Sequence, residues 1–214
     1  MKSTLKYILF VFIAFMFYGF IGTQYFRSIK NAFNSFIGVK SIDLLLTYIV
    51  TVIPIILTSF LLFKKNTLES LGLTKSLFYG ILIANIFALP MLFGYTIMYN
   101  FNTAISFKTI LSKAIYPAFF EELVFRGFLF GYLFRFTKLG FIPTILVGSL
   151  FFGIGHLHQS TDLLTLIGVF VATAIGAIIF GWLYVEWKFN LWVAIGLHLF
   201  MNLFWELFKV DATA

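Results

Sequence analysis

The 214-residue chain is 61% hydrophobic and only 11% charged, with 31 phenylalanines, whereas soluble domains carry roughly a quarter charged residues. Its mean hydropathy of +1.02 excludes an ordinary soluble globular domain and indicates a protein embedded in lipid. The absence of cysteine excludes disulfides, thiolate metal sites and a cysteine nucleophile.

Apolar runs long enough to span a bilayer recur between short polar segments. The predicted spans are 5–26, 42–63, 77–99, 110–134, 141–156, 163–185 and 191–208. The sequence therefore predicts an all-α fold, a polytopic transmembrane bundle of about seven helices. We expect one integral membrane domain over residues 1–214, placed in a membrane that we predict to be the bacterial plasma membrane.

The fourth run contains three charged residues, Glu121, Glu122 and Arg126. A charged side chain at the centre of a bilayer costs about 2.5–3.5 kcal/mol even on insertion scales. Such residues usually face a protein-lined cavity, where they pair with each other or take part in chemistry. These three charged residues therefore favour an intramembrane active site.

Helical spacing assigns different positions to the two adjacent carboxylates. Glu122 and Arg126 are four residues apart, so they share one helix face and are expected to pair. Glu121 points about 100° away from Glu122. It is left without a partner in its own helix, and it is the better candidate for proton transfer.

Two further helices carry polar residues at the same spacing of four. Phe152 precedes His156, and His198 precedes Asn202. Each taken alone has a structural explanation, such as a hydrogen bond between helices. Together, one carboxylate, two histidines and an amide from three helices could converge on one cavity. His158 is assigned no role, and Glu206, near a helix end, is interpreted as a solvated charge or a charge at the level of the headgroups.

The sequence contains three motifs, which are EExxxR from Glu121 to Arg126, FxxxH from Phe152 to His156, and HxxxN from His198 to Asn202. In their order and approximate separation these motifs resemble those of the CPBP family. This family comprises the CAAX prenyl endopeptidases and the bacteriocin-processing proteins, also called Abi proteins. The resemblance covers the later helices, with a catalytic core predicted over residues 110–208.

The resemblance implies a glutamate-dependent intramembrane endopeptidase. Glu121 and His156 would position and deprotonate a water for attack on a peptide carbonyl, and His198 and Asn202 would donate hydrogen bonds to the oxyanion. Glu122, Arg126 and Phe152 would have supporting roles. No cofactor is expected, and preorganised oxyanion donors are among the largest contributions to acyl transfer.

Three alternatives stay open. A glutamate with two histidines is also a credible zinc set, although no HExxH motif is present and an amide is a poor zinc ligand. A non-enzymatic bacteriocin immunity protein and a transporter with a proton relay are the others.

The expected partners are membrane lipid and a peptide or protein substrate. The net charge of +7 would favour nucleic acid as a partner of a soluble protein, but in a membrane protein we interpret it as charge that sets topology and contacts headgroups, so no nucleic acid is expected. Prenylated proteins and bacteriocin or pheromone peptides are all possible substrates.

Overall fold

The computed structural model describes residues 2–208, so Met1 and residues 209–214 of the predicted domain lie outside the described part. Within residues 2–208 the regular elements are all helical. They are α1 (Lys2–Ile37), α2 (Lys40–Thr51), α3 (Ile53–Phe63), α4 (Leu77–Met98), α5 (107–136), α6 (Phe141–Gly155), α7 (Leu163–Glu186) and α8 (Leu191–Phe208). The predicted all-α fold is confirmed.

Five helices in the described residues are long and apolar enough to cross a membrane, and a sixth span results if α2 and the bent helix after it count as one. The remaining predicted run became α5, which carries Glu121, Glu122 and Arg126. The chain is therefore an integral membrane protein. Its number of helices agrees approximately with the predicted seven.

The predicted second span is broken into α2 and α3, which meet at a bend of 44°. Pro54 lies in the first turn of α3, and proline removes a backbone donor, so the break occurs where the helix loses a hydrogen bond. Conversely, α1 continues beyond the predicted end at residue 26 until Gly38, whose φ of +70° suits glycine and ends helices.

Helix α5 contains two wide π-helical stretches, Leu111–Ile115 and Leu123–Phe130, on either side of the α-helical segment Tyr116–Glu122. Pro117 follows the first stretch and cannot donate a backbone hydrogen bond, which accounts for the local change in helical pitch. π-Helical turns are rare in proteins as a whole, and those that occur are often found at functional sites. Here they flank the segment that carries both carboxylates.

Helix α8 is the most buried of the five spans, with 56% of its residues buried, and it packs closely on α4. A Cβ atom added at Gly196 would lie 2.7 Å from the Ala84 Cβ, and one at Gly80 would lie 2.5 Å from the Trp192 Cβ. These glycines allow the two helix backbones to approach. The approach determines where α8 presents His198.

Both ends of α8 are also held by the chain around them. At its start, the Trp192 indole Nε1 donates to the Leu73 carbonyl at 3.1 Å. At its end, the prediction that Glu206 is solvated is wrong, because this side chain is buried and pairs with Lys113 Nζ at 3.4 Å. The Asn102 amide Nδ2 donates to the Glu206 carbonyl at 3.1 Å.

The close packing of α4 on α8 can be tested by replacing Gly196 with leucine. We expect a loss of about 1–3 kcal/mol in stability, as is typical of overpacking, measured by thermal unfolding in detergent. Gly94→Leu is the matched control, because no atom lies within 4 Å of a Cβ built there. Equal melting temperatures for the two variants would contradict the packing described.

Candidate active site

Glu122 is the centre of a buried hydrogen-bond network between α5 and α8. Its Oε1 accepts from Arg126 Nη1 at 2.9 Å and from His198 Nδ1 at 2.8 Å. Glu122 is 0% exposed and Arg126 is 2% exposed. The predicted pair of Glu122 and Arg126 is present, and the structure adds His198 to it.

The contact with Glu122 determines how His198 can act. A carboxylate only accepts hydrogen bonds, so the His198 Nδ1 carries the hydrogen that lies between them. In the neutral ring Nε2 is then an acceptor, and it becomes a donor only when the ring is protonated.

The guanidinium of Arg126 lies between two phenylalanine rings. Its Cζ is 4.3 Å from the ring centre of Phe152 and 5.0 Å from that of Phe180. Both distances are typical of cation–π contacts. The Phe152 ring centre is also 4.4 Å from that of His156, and the Phe180 ring is 5.9 Å from that of His198. The predicted supporting residue Phe152 therefore joins the buried network to His156.

Glu121 and His156 line one cavity of about 430 Å³ between α1, α5 and α6. The Glu121 side chain is half-buried, and its Oε2 is enclosed without a hydrogen-bond partner among the described residues. The hydroxyls of Tyr18 on α1 and Tyr48 on α2 lie within electrostatic range of this carboxylate. Glu121 and His156, the two residues predicted to activate a water, therefore line the same cavity.

His156 follows the last residue of α6, and its Nδ1 lies 2.8 Å from the carbonyl oxygen of Phe152. A carbonyl can only accept, so Nδ1 carries the hydrogen in this contact. The neutral ring then keeps a lone pair on Nε2. This nitrogen is free to accept a proton.

His198 and Asn202 do not line the cavity that Glu121 and His156 share. Asn202 is half-buried on α8, one turn beyond His198, and its side chain makes no hydrogen bond to the described residues. The four polar residues predicted to converge are therefore divided. Glu121 and His156 line the cavity, whereas His198 belongs to the network around Glu122. Phe152 lines the cavity and also contacts Arg126 of that network.

Across residues 2–208, no three histidine, aspartate or glutamate side chains are grouped so that they could hold a metal ion. The possible zinc ligands Glu121, His156 and His198 do not line one cavity. His156 shares a cavity with Glu121, whereas His198 contacts Glu122.

Residues 103–204 match the family model of type II CAAX prenyl endopeptidases, Rce1-like. This segment is Rce1-like. The resemblance to the CPBP family is therefore confirmed, and it supports a CAAX-type endopeptidase within the membrane. No curated protein and no solved structure matches the chain.

The Rce1-like segment includes every predicted site residue, but α1 lies outside it and still forms one wall of the cavity. Tyr18, Gly19, Gly22 and Thr23 of α1 line this wall, and none was predicted. The signal for them was the pair of glycines three residues apart in an apolar helix, which indicates a cleft or a close approach. Phe180 had no sequence signal that separates it from the other phenylalanines.

A double-mutant cycle tests the buried network. Arg126→Leu leaves Glu122 charged and buried, which is expected to cost about 3–5 kcal/mol, and Glu122→Gln strands Arg126 in the same way. The double variant should recover part of this loss because neither charge remains. Thermal unfolding of the purified proteins measures the coupling, and purely additive losses would show that the pairing is wrong.

Proposed function

We propose that the chain is an intramembrane endopeptidase in which Glu121 and His156 activate a water molecule. The observation that carries this proposal is that both side chains line one cavity, while the Glu121 carboxylate and the His156 Nε2 make no hydrogen bond to the described residues. A general base must lie within reach of the proton that it removes, directly or through one water. Because Glu121 and His156 line the same cavity, a water molecule bound there could give its proton to either side chain.

In the proposed reaction the water oxygen attacks the carbonyl carbon of a peptide bond. Its proton passes to Glu121 or to Nε2 of His156, and the tetrahedral intermediate carries the negative charge on the former carbonyl oxygen. The carbon–nitrogen bond then breaks, and the amine leaves with the proton returned by the base. The products are one carboxylate and one amine.

The oxyanion would be stabilised by α8. The side-chain amide of Asn202 has no hydrogen-bond partner among residues 2–208. His198 can donate from Nε2 when its ring is protonated, since its Nδ1 hydrogen is directed to Glu122. A single donor of this type is worth about 10²–10³ in rate. These roles require His198 and Asn202 to approach the cavity when substrate binds, as catalytic contacts often tighten only in the complex.

Glu122, Arg126 and Phe152 would act as positioning residues. The ion pair fixes the helical turn next to Glu121, and Phe152 contacts both Arg126 and His156. The catalytic carboxylate is in this way presented by a rigid element, while its own side chain stays free. The proposed substrates are prenylated proteins or bacteriocin or pheromone peptides, with self-immunity as a possible role in a bacterial plasma membrane.

Replacing Glu121 with glutamine tests the proposed base. Glu121→Gln conserves the shape of the side chain but removes its basicity, so we expect cleavage of a membrane peptide substrate to be abolished with folding unchanged. The matched control is Glu186→Gln, at the exposed end of α7, which should cleave at the wild-type rate. Retained turnover in purified Glu121→Gln would rule out the glutamate mechanism.

The zinc alternative predicts a different response to chelation. Without a metal in the mechanism, activity should survive extensive treatment with a chelator, and elemental analysis of the purified protein should give no stoichiometric zinc. Activity that is lost on chelation and restored by added zinc would instead assign His156 and His198 as ligands.

A further inference from the structure

Helix α1 runs antiparallel to α5 along the cavity, and contacts between aromatic rings fix the register of the two helices. The Tyr7 ring centre is 5.7 Å from that of Phe136, and two turns later the Phe15 ring centre is 5.6 Å from that of Phe125. The Phe15 ring centre also lies 5.1 Å from that of Phe151 on α6. The position of α1 against the cavity is therefore set by packed rings.

This register places the phenol of Tyr18 beside Glu121. Tyr18 lies one turn after Phe15 on α1, and Glu121 lies one turn before Phe125 on α5, so the two side chains come close where the helices are antiparallel. Both line the same cavity, and the two groups are within electrostatic range of each other. The Tyr18 hydroxyl makes no hydrogen bond to any side chain or backbone group of residues 2–208.

The cavity contains few hydrogen-bond donors, and most of them are already used. Four of its lining side chains carry an N–H or O–H group in their neutral form, namely Tyr18, Thr23, His156 and His158. The Thr23 hydroxyl donates to the Gly19 carbonyl at 2.9 Å, and Nδ1 of each histidine lies 2.8 Å from a backbone carbonyl oxygen. Among these described side chains, the Tyr18 hydroxyl alone has a hydrogen that is not directed to a protein acceptor.

The proposed hydrolysis needs a donor in this cavity. Attack of water on a peptide carbonyl places negative charge on the carbonyl oxygen, and a donor held in a water-poor site stabilises that charge strongly. His198 and Asn202 do not line the cavity. The Tyr18 hydroxyl already lies in its wall, and a phenol can donate one hydrogen bond while it keeps its proton.

We propose that Tyr18 is a further catalytic residue, whose hydroxyl donates a hydrogen bond to the oxyanion formed in the cavity. The inference rests on the proposed function, because the oxyanion arises only if a water attacks a peptide bond there. No proton leaves Tyr18, and the proton of the water still passes to Glu121 or His156. Since α1 lies outside the Rce1-like segment, a part of the chain beyond that segment would supply part of the active site.

Replacing Tyr18 with phenylalanine tests the donor, because Tyr18→Phe keeps the ring and removes only the hydroxyl. With a quenched-fluorescent peptide that contains S-farnesylcysteine, kcat should fall about 10²–10³-fold, as for other oxyanion donors. KM and the melting temperature should stay near the wild-type values, since the interaction is made only in the transition state. An unchanged kcat in a folded Tyr18→Phe variant would overturn the proposal.

Two other tyrosines supply matched controls. The Tyr48 hydroxyl is also within electrostatic range of Glu121, but Tyr48 does not line the cavity. Tyr25 is exposed on α1. Tyr48→Phe and Tyr25→Phe should both cleave at close to the wild-type rate. A loss in Tyr48→Phe as large as that in Tyr18→Phe would show that the hydroxyls act through the field at Glu121, and this would contradict donation to the oxyanion.

A tetrahedral analogue separates donation to the oxyanion from substrate binding. In this analogue a phosphinate group replaces the scissile bond of the same peptide. Its affinity should fall in Tyr18→Phe by about the factor lost in kcat/KM, because both report binding of the tetrahedral state. The affinity of the intact peptide, compared in Glu121→Gln with and without Tyr18→Phe, should not change. Equal losses of both affinities would assign Tyr18 to substrate binding and contradict the proposal.

The same measurements distinguish failure of this inference from failure of the proposed function. Cleavage by the wild type, none by Glu121→Gln and full activity of Tyr18→Phe would remove only the Tyr18 donor. Cleavage retained by Glu121→Gln and lost in Tyr18→Phe would keep the donor and contradict the proposed base. A wild type that neither cleaves the peptide nor binds the phosphinate would contradict both.

Discussion

A carboxylate buried at membrane depth must find hydrogen-bond donors, and the bundle around Glu122 supplies two of them to its Oε1. Glu122 accepts hydrogen bonds from Arg126 on its own helix and from His198 on α8. An unpaired charge in the hydrocarbon region would cost several kcal/mol. The angle between α5 and α8 and the two phenylalanine rings that enclose the guanidinium are therefore linked to one interaction.

This network gives two adjacent glutamates different environments. Glu122 uses its oxygen Oε1 for two donors, whereas Glu121, one residue earlier and on another face of α5, has no ion-pair partner among the described residues and lines the cavity with His156. Because its Oε1 joins α5 to α8, the Glu122 carboxylate has a structural role. The Glu121 carboxylate is held by the same helical turn without taking part in this network, and this is the difference on which its proposed role in proton transfer rests.

Much of this could be predicted from local sequence. The apolar runs predicted the helices, and the spacing of four predicted the pair of Glu122 and Arg126, because both depend on helical geometry alone. The contact of His198 with Glu122 could not be predicted in this way, since it depends on how closely α8 approaches α4 at Gly196. The burial of Glu206 likewise depends on Lys113, which is distant in the sequence. The contribution of α1 to the cavity was missed because glycines in an apolar helix more often indicate packing than an open wall.

The proposed hydrolysis depends on water that reaches Glu121 and His156 in one cavity of the membrane-embedded bundle. The absence of native cysteine allows single cysteines to be placed at positions 121 and 156 and treated, in intact membranes, with a small water-soluble methanethiosulfonate reagent. The control is a cysteine at Leu129, which is fully buried in the bundle. We expect rapid modification at positions 121 and 156 and none at 129. One substrate-like peptide should block the modification at both reactive positions. An unreactive cysteine at 121, or modification of 121 that the peptide leaves unchanged while it protects 156, would contradict a shared, water-filled active site.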